Sequence, residues 1–177
     1  MMKCEYKIID NFLSEDLAQK IENTLMGDDV IFPWFYNKNI LKIKTSPDNL
    51  NNYQLTHVFY KEYVVYSQFF SIVAPLVQYL NPESILRIKA NLNPRTEVRH
   101  TFDFHTDSES KSSDRKTAIY YVNSNDGVTI LEDGTQIESV ANRLVIFDQK
   151  TRHTGTTCTN QKVRCLINLN YIELRND

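Results

Sequence analysis

The second half of the chain is a succession of short apolar runs cut by turns. After Asn81-Pro82 come I-L-R-I-K-A-N-L, T-A-I-Y-Y-V, G-V-T-I-L, R-L-V-I-F and V-R-C-L-I-N-L-N-Y-I. The polar loop S-E-S-K-S-S-D-R-K and the turn signals N-S-N-D-G and E-D-G-T separate them. Runs of this length, rich in β-branched and aromatic residues and bounded by Gly, Asn, Asp and Ser, read as strands. Many such strands on short polar connections pair antiparallel and fold into a sandwich or barrel.

The first half reads differently. Ser14 is placed to start a helix, with Glu15 and Asp16 in the first turn, where carboxylates oppose the positive end of the helix dipole. Leu17, Ile21 and Leu25 recur every four residues as a buried stripe, and Gly27 ends it. Residues 28–60 are mixed. The aromatic cluster Pro33-Trp34-Phe35-Tyr36 fits either a substrate groove or loop aromatics tucked onto the core. Residues 62–80 read as a second helix, kinked or broken near Pro75. The fold class is therefore α+β. One domain spans 1–177, with helical support over about 1–82 and a β core over about 83–174.

Tyr63 to Pro82 carries no charge, but Ser67, Gln68, Ser71, Pro75 and Gln78 interrupt it, so it reads as a buried helix and not a membrane span. Net charge is -2, which gives no electrostatic footprint for nucleic acid or an anionic membrane. The three cysteines, Cys4, Cys158 and Cys165, have no metal-ligand spacing and read as reduced thiols. With no apolar leader run at the start, the expectation is a cytoplasmic protein.

Residues 102–109 read F-D-F-H-T-D-S-E. Side chains at i and i+2 of an extended segment share a face, so His105 and Asp107 can enter one cavity. A second imidazole from a distant strand would complete a 2-His-1-carboxylate set with open positions, an arrangement suited to non-haem Fe(II). His153, after R-L-V-I-F-D, is the natural third ligand. Each residue also has a plainer reading: a surface histidine, a turn aspartate, a solvated loop histidine. Arg164 adds weight. In V-R-C-L-I-N-L-N-Y-I, Val163, Cys165, Ile167 and Leu169 share one face, and Arg164, Leu166, Asn168 and Asn170 share the other. A guanidinium inside a strong strand needs an anionic partner, and its planar fork suits a carboxylate. A strand-edge arginine reaching water is the alternative.

The order H-T-D, I-Y-Y-V-N, N-R-L-V-I-F-D, T-R-H-T-G and K-V-R-C-L-I-N, across roughly Ile85 to Tyr171, resembles the Fe(II)/2-oxoglutarate-dependent dioxygenases, in particular the prolyl 4-hydroxylase-like branch. The opening Y-K-I-I-D-N-F-L-S-E-D is similar to openings in that branch. The resemblance implies a double-stranded β-helix, a jelly-roll barrel with the metal at one mouth. It implies His105, Asp107 and His153 as catalytic iron ligands. Arg164 would bind the distal carboxylate of 2-oxoglutarate, with Tyr121 beside it and Asn91 and Asn168 as further cosubstrate residues. Tyr121 also reads as a core aromatic, and the two amides as structural hydrogen bonders. The implied cofactors are Fe(II), 2-oxoglutarate and O2, with ascorbate as a reductant.

The implied reaction couples 2-oxoglutarate decarboxylation to hydroxylation of a C–H bond. Asp107 favours hydroxylation, because halogenating relatives carry a small residue in its place. The implied substrate is a prolyl residue in a protein or peptide; a free amino acid or another small metabolite is the alternative. The loop Ser108 to Lys116 matches a mobile substrate-covering loop, or else is a plain hairpin connection. Two segments depart from the pattern. N-D-G-V-T-I-L-E-D-G replaces a Gly-Gly opening, a difference assigned to backbone packing. N-P-R-T-E-V-R-H-T-F-D-F is longer than usual, so Arg95, Arg99 and His100 either touch an anionic or peptidic substrate or are solvated. From another class, a non-catalytic cupin-like module would bind a metal or carboxylate without consuming 2-oxoglutarate.

Overall fold

The computed structural model describes residues 3–40, 51–107 and 114–174. Among these lie, in chain order, β1 (Tyr6–Ile9), α1 (Glu15–Met26), β2 (Phe35–Asn37), β3 (Gln54–Lys61), β4 (Val64–Val65), α2 (Phe70–Leu80), β5 (Ser84–Pro94), β6 (Arg115–Tyr121), β7 (Asn125–Leu131), β8 (Gln136–Ser139), β9 (Arg143–Asp148), β10 (His153–Gly155) and β11 (Val163–Ile172). Two antiparallel sheets result. The larger runs β1-β9-β6-β11-β5-β3-β2, with β4 on β3; the smaller runs β10-β7-β8.

Strand alternation gives the larger sheet two different faces. Cys165, Ile167 and Leu169 of β11, with Ile88 and Ala90 of β5, turn toward the helices and pack with Ile21 and Leu25 of α1 and Val73 and Leu76 of α2. Each such aliphatic side chain contributes about 1.5–3 kcal/mol by leaving water. The opposite face meets the smaller sheet. Ile119, Tyr121, Leu131, Ile137, Val145, Phe147 and Leu166 form a second apolar cluster there. Beside that cluster, Arg164 and Asn168 of β11 and Lys89, Asn91 and Asn93 of β5 line a polar pocket closed by Thr129, His153 and Gly155 of the smaller sheet.

The expected first helix is present, with Ser14 at its N-cap, acidic residues in its first turn and Gly27 ending it. The expected second helix is shorter. Residues 64 and 65 form β4, paired with Tyr60 and Lys61, and only Phe70–Leu80 is helical. Val64 and Val65 are exposed, so the uncharged run reflects a hairpin as well as a buried helix. Pro75 lies inside α2 without ending it; the carbonyl it leaves without a partner belongs to exposed Ser71. The reading of residues 1–82 as helical support is likewise corrected. β1, β2, β3 and β4 lie there, and the eight-residue β3 pairs β5 in the larger sheet. Adjacent polar and aromatic residues in Q-L-T-H-V-F-Y-K obscure its alternation.

The N-S-N-D-G segment is not wholly a turn, because Asn125, Asp126 and Gly127 already belong to β7. Of the Ser108 to Lys116 loop, residues 108–113 lie outside the described residues, while Arg115 and Lys116 open β6 and are not loop. No described helix is long and apolar enough to cross a membrane.

Candidate metal centre

The two histidines are brought together by the main chain. His105 follows an irregular segment, yet its N–H donates to the His153 carbonyl at 2.9 Å, and the His153 N–H donates back to the His105 carbonyl at 2.9 Å. Residues paired directly across such a bridge carry neighbouring side chains, and the ring centroids are 4.6 Å apart. Asp107, two residues on, enters the same space. One ligand atom from each of His105, Asp107 and His153 lies within 4.8 Å of the others.

The surroundings prepare all three as ligands. The His153 Nδ1 faces the Thr151 carbonyl at 3.0 Å, so Nδ1 carries a proton and Nε2 is the nitrogen left to ligate. Phe147 packs against that ring at 4.9 Å. Burial, aided by His153 and opposed by Asp107, pushes His105 down to about 4, so its imidazole is neutral near neutrality. Burial alone would raise Asp107. The positive fields of His153 and Arg87 and a bond from Asn170 outweigh it and hold the carboxyl well below the usual range.

Four side chains grip that carboxylate. Arg87 Nη2 donates to Oδ1 at 3.2 Å. Thr117 Oγ1 donates to Oδ2 at 2.9 Å, Asn170 Nδ2 at 3.0 Å and Asn168 Nδ2 at 3.3 Å. Two imidazoles and one carboxylate held ionised by its neighbours, all drawn to one corner of a pocket, suit a divalent cation and leave its other side open.

Across the pocket, Arg164 is 2% exposed and has no carboxylate partner among the described residues. Its Nε donates to Ser139 Oγ at 2.9 Å and its Nη2 to Thr129 Oγ1 at 3.0 Å. Tyr121 stands one layer behind, its ring 5.7 Å from the guanidinium carbon. The Tyr121 hydroxyl also donates to Thr129 Oγ1, at 2.8 Å. Both Thr129 lone pairs are then occupied, which leaves its own O–H as a donor. Burial works against the Arg164 charge, so the guanidinium calls for an anion.

Other polar groups there are also unspent. Asn91 Oδ1, Asn168 Oδ1 and Asn93 Nδ2 are buried without a hydrogen-bond partner, and all three residues line the pocket. Lys89, on the same wall, is pushed down to about 8 by burial and by Arg87, against the pull of Asp107.

The pocket thus brings together His105, Asp107, His153, Arg164, Asn91 and Asn168, with Tyr121 behind its wall. Arg95, Arg99 and His100 do not line it. The sequence reading missed Arg87, Lys89, Thr117, Thr129, Ser139 and Gly127. The departure from a Gly-Gly opening reads in the sequence as a matter of backbone packing, yet Gly127 in that segment also makes room for a site residue: a Cβ there would lie 2.5 Å from Arg164 Cδ. For Arg87 and Lys89 a signal was available: they share a strand face with Asn91 in I-L-R-I-K-A-N-L.

No protein-family model matches the chain, and no curated protein matches it in sequence. Solved structures do match. A Pseudomonas putida prolyl-4-hydroxylase superposes with a TM-score of 0.64 at 14% identity, over 97% of this chain and 94% of that one. A Trichoplax adhaerens prolyl hydroxylase, solved with a hypoxia inducible factor oxygen degradation domain peptide, gives 0.61 at 16% identity, over 95% and 83%. The epimerase SnoN, solved with Fe3+, alpha ketoglutarate and nogalamycin RO, gives 0.64 at 10% identity, over 96% and 79%. The two packed antiparallel sheets with a polar mouth between them are the jelly-roll double-stranded β-helix fold that these 2-oxoglutarate- and Fe(II)-dependent oxygenases share.

Proposed function

We propose that this chain is an Fe(II)- and 2-oxoglutarate-dependent oxygenase that hydroxylates a C–H bond, with a prolyl residue of a protein or peptide as its substrate and a free amino acid or other small metabolite as the alternative. The observation that carries the reading is Arg164. A buried guanidinium without an acid partner among the described residues shares one pocket with a partly buried 2-His-1-carboxylate set. A metal site alone has no use for that cation, whereas a dicarboxylate spanning the pocket answers both ends.

The protein's own part is to hold and orient. His105, Asp107 and His153 would hold the iron on one side and leave the pocket side free. Arg164 and the Thr129 O–H would grip the far carboxylate of the cosubstrate, with Tyr121 fixing Thr129. The unspent amides of Asn91 and Asn168 offer polar contacts along the way. Phe102, Ile119 and Leu166 supply apolar walls that limit water near the metal. When bound, iron and 2-oxoglutarate would activate O2, one oxygen atom going to the succinate formed by decarboxylation and the other to the substrate C–H bond. The substrate class is supported by the fold likeness to two prolyl hydroxylases, and its alternative by the likeness to SnoN.

The experiment is to load the protein with Fe(II) without oxygen, aerate it and measure succinate, alongside a mass-spectrometric search for one added oxygen on peptides and metabolites. Turnover of 2-oxoglutarate is expected, and His105→Ala or Asp107→Ala abolishes it. Arg164→Met is expected to raise the 2-oxoglutarate requirement about 10–100-fold, the worth of one or two charge-assisted hydrogen bonds. Absence of succinate across the substrate screen would favour a cupin-like binding module instead.

A further inference from the structure

Among the described residues three cationic side chains face the pocket: Arg87, Lys89 and Arg164. Arg87 has Asp107 at 3.2 Å. On the oxygenase reading Arg164 is matched by the cosubstrate. Among the described residues nothing matches Lys89. No hydrogen bond or ion pair reaches its ammonium, and Asp107 acts on it only at longer range. Its place is well fixed. On β5 it lies between Arg87 and Asn91 on the pocket face, and directly across from Asn168 of β11 and Val58 of β3. Half-burying an ammonium without an acceptor is unfavourable, and a flexible lysine had solvent as its alternative. Phe102, Ile119 and Leu166 border the same space. A cation beside the metal corner with apolar walls nearby suits a molecule with an acid head and an apolar body.

We propose that Lys89 binds a carboxylate of the substrate that is oxidised. The substrate then presents a carboxylate near the oxidised carbon, as a prolyl peptide with an acidic or terminal carboxylate beside the proline does, or a free amino acid or other small acid. Only the identity of the bound acid as substrate rests on the oxygenase reading; the placement of Lys89 on the pocket wall does not.

The test uses the full chain loaded with Mn(II) and 2-oxoglutarate without oxygen. A short pulse of N-hydroxysuccinimidyl acetate acetylates accessible amines, and peptide mass spectrometry reads Lys89 against exposed Lys150. Propanoate at twice its dissociation constant is expected to cut Lys89 acetylation about threefold, while propanamide leaves it unchanged. Equal protection by propanamide, or no protection by either, overturns the proposal. Protection by inorganic phosphate but not by propanoate overturns the carboxylate assignment in favour of a phosphate. If 2-oxoglutarate alone protects Lys89 and propanoate adds nothing, the lysine belongs to the cosubstrate and the proposal fails. Binding of 2-oxoglutarate is followed in the same samples by the Mn(II) paramagnetic resonance signal. Its absence, with propanoate protection intact, would sink the oxygenase reading and leave the Lys89 anion site standing.

Discussion

Gly127 has no side chain, and the Arg164 stem occupies the space. An added Cβ would meet Arg164 Cδ at 2.5 Å and Asn125 Oδ1 at 2.8 Å. Gly127→Ala is therefore expected to shift the guanidinium away from Thr129 and Ser139. It should weaken 2-oxoglutarate binding by calorimetry and cost about 1–3 kcal/mol of stability by denaturant melts. In an Arg164→Ala background, which removes the Cδ the new methyl would strike, the same substitution should cost much less, because the two sites couple. This dependence was not legible in the sequence, where N-D-G signals a turn and nothing indicates which distant side chain crosses it. Arg164 itself was legible, since strand alternation placed it opposite an apolar face. Thr129 and Ser139 were not, because hydroxyls in strands are ordinary and only their convergence on one guanidinium distinguishes them.

At the scale of elements, the acid ligand is held by three strands at once. Arg87 belongs to β5, Thr117 to β6, and Asn168 and Asn170 to β11. Asp107 lies outside any regular strand, so these donors set its position. Thr117→Val keeps the volume but removes the 2.9 Å donor to Asp107 and the acceptor of the 3.1 Å Asn170 bond. Metal affinity is expected to fall about 10–100-fold. Titration of the Fe(II)-free protein with Mn(II) measures this, and unchanged affinity would show that the remaining donors suffice. The C-terminal strands were legible as alternating runs bounded by turns. β3 and β4 were not. Their residues sit in mixed or uniformly uncharged sequence, where periodicity cannot separate a hairpin from a helix.

At the scale of the whole molecule, the segment leading into α2 is joined to the larger sheet through a histidine outside the metal centre. His57 of β3 is buried, with Nδ1 at 2.7 Å from the Pro33 carbonyl and Nε2 at 2.7 Å from Ser67 Oγ, just before α2. Phe32 packs on its ring at 4.4 Å. Burial lowers its pKa, against the Pro33 bond. The unfolded chain therefore takes up this proton at a higher pH than the folded one does. The His57 contribution is complete above the unfolded value of about 6.5 and declines as pH falls below it. Urea midpoints are expected to drop between about pH 7.5 and about pH 5.5. His57→Gln, which keeps a polar group but does not titrate, should show a shallower drop; an equal slope in both proteins would remove His57 as a cause.

The reciprocal pair of peptide bonds between His105 and His153 has a bearing on how the barrel chooses its register. A slip of one residue would turn one imidazole away from its partner. A divalent ion that needs both rings rewards only the alignment in which they meet. Such a cation would proofread the seam between β10 and the segment carrying His105, and a ligand requirement would become an instruction for assembly.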